Sequence, residues 1–190
     1  MVSRNSISQA EPPKPKAKRA RTSTARAESA EDLVIGIEHS MGDSWLPGIY
    51  HRILKLRTRS YAFAAVARNR GKISAPEIQH TLLGIELKVG NQRMLCPDLA
   101  TARYLAVFAR AGCAAVAIPY DITKISHLAD ELESSWHRML LLTTTVAEGR
   151  SEAFATRIRS LLIAKVRDEV AQAGSGTRIP EFKQSLQGRR

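Results

Sequence analysis

Apolar residues recur at helical spacing along most of the chain and at strand spacing in two short stretches. Ile49, Ile53 and Leu56 follow Ser44 and Pro47. A Ser cap with proline in the first turn and apolar residues three or four apart predicts a helix. Arg52, Lys55 and Arg59 then share a second face of that helix. Ser60 is placed to cap a second helix over Tyr61 to Asn69, closed by Gly71. Ser74-Ala75-Pro76-Glu77 has the composition of a helix start, and Ile78 and Leu82 continue it as a third short helix ending near Gly84.

The period then changes. Ile85, Leu87 and Val89 alternate with Glu86 and Lys88, and a second alternating run follows Gly90-Asn91. A Gly-Asn pair between alternating flanks predicts a β-hairpin. Asp98 is placed to cap a helix that ends at Gly112. Cys113 to Ile118 is a continuous apolar run before Pro119, as in a buried strand. A long helix follows from about His127 to Ala147, and Ser151 caps a last one to about Ala173. The sum is an α+β fold, mostly helical. A β-hairpin plus one further short strand forms a small three-stranded sheet, and a C-terminal helical hairpin closes the domain over residues 44–173.

Three helices followed by a hairpin, over residues 44–97, resemble a winged-helix arrangement. The resemblance implies a recognition helix around Glu77 to Leu83, with Lys88 and Arg93 on the wing. A helix fits the major groove while a wing reaches the flanking phosphates. It rests on element order and on no diagnostic motif. The helix offers few base-reading side chains: Gln79, His80 and Thr81.

Charge sharpens the picture. Of the 190 residues, 29 are Lys or Arg and 18 are Asp or Glu, a formal charge of +11. Residues 1–30 carry +5 with few large aliphatics, and so read as a disordered basic tail. Residues 31–43 carry four acids and no Lys or Arg, and read as an acidic linker. Residues 44–76 carry Arg52, Lys55, Arg57, Arg59, Arg68, Arg70 and Lys72 with no acid. Residues 174–190 read as a flexible basic tail.

Catalytic signals are few. Glu86-Leu87-Lys88 matches half of a metal-dependent nuclease motif, in which carboxylates bind Mg²⁺ and a lysine assists the attacking water. Asp98 follows that motif where the superfamily has its Asp before it. Asp121 with Thr123 reads either as a ligand-side loop or as a helix cap. Glu133 and His137 lie one helical turn apart. Cys96 and Cys113 fit two buried thiols, and no Cys-His spacing suits zinc. No phosphate-cradling glycine loop and no nucleophile with a neighbouring base occurs. The expectation is a non-enzyme with no cofactor, no metal and no membrane insertion, in the cytoplasm. Its partner is nucleic acid, DNA or RNA, held through the tail and through Arg52, Lys55, Arg57, Arg59, Arg68, Arg70, Lys72, Lys88 and Arg93. The alternatives are an interaction or scaffold protein that meets a protein partner or its own copy through residues 127–173, and a nuclease centred on Glu86 and Lys88.

Overall fold

The computed structural model describes residues 29–64 and 75–176. Its first helix, α1 (Ala30–Met41), opens on a capping box: the Ser29 hydroxyl accepts the Asp32 N–H while the Asp32 carboxylate accepts from Ser29. Val34, Ile37 and Met41 recur on one side and are buried. The stretch read as an acidic linker is therefore a packed helix, and its acids occupy the solvent side of an amphipathic element. A short 3-10 turn, Gly42–Ser44, leads into α2 (Leu46–Leu54), where Leu46, Ile49, Tyr50 and Ile53 are fully buried.

Helix α2 stops at Leu54 with Lys55 as its C-cap, and the chain becomes strand β1 (Thr58–Ala62). Arg59 is thus on a strand, and the three-base helix face does not form. The second expected helix is replaced through Ala62 by β1, and its stretch from residue 65 onward lies outside the described residues. The third expected helix is strand β2 (Glu77–Thr81). The seven residues between Pro76 and Gly84 make at most two helical turns, too short to hold without tertiary support. Ile78 and His80 pair instead with Leu87 and Ile85 of β3 (Gly84–Val89).

The hairpin of β3 and β4 (Gln92–Cys96) stands as expected: Gly90 has φ 58°, and the register places Val89 opposite Gln92 and Lys88 opposite Arg93. With β2 it makes a three-stranded antiparallel meander. The stretch expected as the recognition helix is strand β2, so the winged-helix resemblance does not survive.

Helix α3 (Leu99–Ala111) is the centre of the molecule. Asp98 caps it, accepting the Thr101 N–H at 2.6 Å, and left-handed Gly112 ends it. Nine of its thirteen residues are buried, because it packs on the meander, on α4 (Ile122–Val146) and on α5 (Glu152–Ala173). The long helices form the expected C-terminal pair and close over α1 and α2. The fold is α+β, with two small antiparallel sheets.

Strand β5 (Ala115–Pro119) does not extend the hairpin; it pairs antiparallel with β1 as a separate two-stranded sheet. Backbone bonds from Phe63 N–H to the Ala114 carbonyl and from Tyr120 N–H to the Arg57 carbonyl fix the phase of this pair. That phase turns the polar backbone groups of Ala117 away from β1. Two tyrosines meet them. Ala117 N–H donates to the Tyr50 hydroxyl at 2.8 Å, and the Tyr104 hydroxyl donates to the Ala117 carbonyl at 2.6 Å. Tyr50 in turn donates to the Gly174 carbonyl at 2.6 Å. Side chains stand where a third strand would pair, and Pro119 follows on the same edge with no N–H to offer. One hydrophobic cluster, from Ala30 of α1 to Val170 of α5, underlies all of this.

Candidate nucleic-acid interface

Of the nine basic residues expected to contact nucleic acid, six lie among the described residues. Arg52 projects from α2 into an ion pair with Glu131 of α4. Lys88 lies 3.2 Å from Glu77 across the meander, and Arg93 lies 3.9 Å from Glu86. Arg68, Arg70 and Lys72 lie outside the described residues. Lys55, Arg57 and Arg59 are exposed, and none of them has an acidic partner among the described residues. The Arg57 guanidinium lies over the Tyr120 ring as a cation–π contact, 5.1 Å from the centroid.

The acids of α1 do not answer these bases. Glu31 pairs with Arg157 at 2.9 Å and Glu38 with Lys165 at 2.7 Å, so the acidic helix is clamped to α5. Glu38 correspondingly raises the Lys165 ammonium above its ordinary pKa. Arg103 on α3 forks to Glu133 and Asp130 of α4, and Glu133, foremost, holds the guanidinium in its charged form. Glu133 is thereby committed to Arg103 rather than to His137. The described residues carry fifteen bases and fifteen acids, so they are electrically balanced. The whole excess of eleven positive charges falls in residues 1–28, 65–74 and 177–190.

The nuclease constellation does not assemble. Glu86 and Lys88 share the outer face of β3, but the lysine turns to Glu77, and Asp98 is occupied by its helix cap. One Glu86 oxygen accepts a long bond from the Thr81 hydroxyl at 3.4 Å, while the other is buried with no hydrogen bond. Asp121 caps α4: its carboxylate accepts the Thr123 hydroxyl at 2.6 Å and the Thr123 N–H at 3.1 Å, and the hydroxyl bond leads in lowering its pKa. Among the described residues no three His, Cys, Asp or Glu side chains converge as a metal site would require. An open cleft at the α4–α5 turn, lined in part by Thr144, Glu148, Glu152 and Arg159, mixes both charges and holds no nucleophile with a base.

Both cysteines are buried free thiols. Burial pushes Cys113 up to about 12 and raises Cys96 as well, which keeps them protonated and unreactive. The apolar sides of α4 and α5 face the chain's own core: Leu132, Trp136, Met139, Ile158, Leu162 and Val166 are all buried. No helix of the described residues is long and apolar enough to cross a membrane.

The sequence reading missed the Arg57–Tyr120 cation–π pair. The two residues are far apart in the chain, and only the β1–β5 register brings them together. The Arg-x-Arg spacing at 57 and 59 beside an alternating Thr58-x-Ser60 was its one local trace. No family model matches the chain, and no curated protein or solved structure matches it significantly.

Proposed function

We propose that the chain is a cytoplasmic accessory protein that binds nucleic acid without catalysing a reaction on it. The division of charge carries this reading. A body with balanced charge has no electrostatic need for basic segments beside it, yet every net positive charge sits in three short stretches. Short runs of like charge are a common device for attracting phosphate backbones, through counterion release.

The test is a binding titration on DNA and RNA at several salt concentrations, with the full chain and with chains lacking residues 1–28 or 177–190. The N-terminal deletion removes seven bases and two acids. If those bases meet phosphates, the slope of log affinity against log salt falls by about 0.7–0.9 for each phosphate no longer neutralised, with little change in melting temperature. Equal slopes for all three chains would refute the role given to the segments.

A further inference from the structure

We propose that the surface where β1 begins and β5 ends is a stacking site for single-stranded nucleic acid, built from Tyr120 and Arg57 and flanked by Lys55 and Arg59. The inference deepens the nucleic-acid reading and rests on it.

Three observations support the site. First, Tyr120 is an aromatic residue left 36% exposed on a molecule whose other three tyrosines are tied into the interior, and the Arg57 guanidinium lies against its ring. An exposed aromatic ring with a guanidinium in cation–π contact offers a π-face and a positive charge to an unpaired base. A paired base is already stacked inside its duplex and cannot use that face. Second, the backbone bond from Tyr120 N–H to the Arg57 carbonyl, at 3.1 Å, fixes the pair to the end of the sheet. Third, the local charge suits a phosphate backbone. Arg59 and Lys55 are exposed without acidic partners among the described residues, and the nearest acid in sequence, Asp121, is bound to Thr123 and lies 3.9 Å from Lys124.

Stacking and charge have separable signatures. An aromatic platform contributes affinity that is independent of salt, whereas Lys55 and Arg59 contribute to the salt slope. The experiment measures fluorescence anisotropy of the full chain with a labelled oligo-dT, an oligo-U and a DNA duplex of matched length, each at two salt concentrations. The variants are Tyr120→Ala, Tyr120→Phe and the double change Lys55→Ala with Arg59→Ala, and a melting curve accompanies each. The expected result for Tyr120→Ala is a loss of about tenfold on both single strands with an unchanged salt slope, and near wild-type binding to the duplex. Tyr120→Phe keeps the wild-type affinity. The double variant lowers the single-strand slope by about 1.4. Wild-type single-strand binding by a folded Tyr120→Ala, or an equal loss on the duplex, overturns the stacking site while leaving the nucleic-acid reading in place. Failure of the wild-type chain to bind any of the three probes overturns both.

Discussion

Replacing Tyr50 with Phe removes one oxygen from the interior and breaks two hydrogen bonds. The ring remains, so packing against Phe108, 5.3 Å away edge-on, is preserved and no cavity opens. What changes is the free edge of β5. Ala117 N–H loses its acceptor in a place with no solvent access, since both Tyr50 and Ala117 are 0% exposed. An orphaned buried donor costs about 1–3 kcal/mol, more than the roughly 1 kcal/mol of an ordinary hydrogen bond. The Gly174 carbonyl loses its donor too, but it is only half-buried and water can replace part of the loss. A total near 2 kcal/mol corresponds to a fall in melting temperature of about 4–8 °C for a domain of this size. Urea denaturation of wild type and variant gives the free energy directly, and an unchanged slope with a lower midpoint shows that only stability moved. Tyr104→Phe removes the partner of the Ala117 carbonyl, and the double variant is expected to be less than additive because both act on one peptide unit. A loss below about 0.5 kcal/mol for Tyr50→Phe would contradict the account of the edge, since the N–H would then have another partner.

The same tyrosines set a pH limit. Burial pushes Tyr50 up to about 12 and raises Tyr104 well above its ordinary value, so the folded state holds these protons after the unfolded chain has released them. Their contribution is intact below about pH 10 and is lost as pH rises toward 12, at up to about 1.4 kcal/mol per pH unit for each tyrosine. Thermal melts at pH 8, 10 and 11 should show the decline, and Tyr50→Phe should make it shallower. Gly90→Val is expected to destabilise by roughly 1 kcal/mol or more, because a β-branched residue resists the positive φ of the turn; chemical denaturation checks it, and an unchanged midpoint would reject the turn's role. Cys96 and Cys113 should resist alkylation in the native protein and react only on unfolding, which mass spectrometry of iodoacetamide-treated samples reads at once.

What could be read from the sequence was local. The Gly90-Asn91 hairpin, the caps Asp98 and Ser151 and the stripes of α3, α4 and α5 each carry their cause within a few residues, and all of them stand. The errors share a different origin. Strand β1 finds its partner more than fifty residues away, and nothing near Thr58 announces Pro119. Ser74-Ala75-Pro76-Glu77 is a sound helix start by composition, but Ile78 and His80 gain more from pairing with the hairpin than from one isolated turn. The candidate interface inherits both outcomes. Arg52, Lys55 and Arg59 share helical spacing in the sequence, and the end of α2 at Leu54 separates them. The Arg57–Tyr120 pair exists only through the long-range register.

The bonds that close the molecule join early elements to late ones. Tyr50 is 124 residues from Gly174, and Glu31 is 126 residues from Arg157. Such separations raise the average loop that must close before native pairs form, which slows folding. They also matter while the chain is being synthesised. Helices α1 and α2 emerge from the ribosome before the others, yet the surface that buries Val34, Ile37 and Ile53 belongs largely to helices made last. Until α5 is released, the early half of the domain has an apolar flank without its cover, a state in which a nascent chain depends on chaperones or on rapid completion.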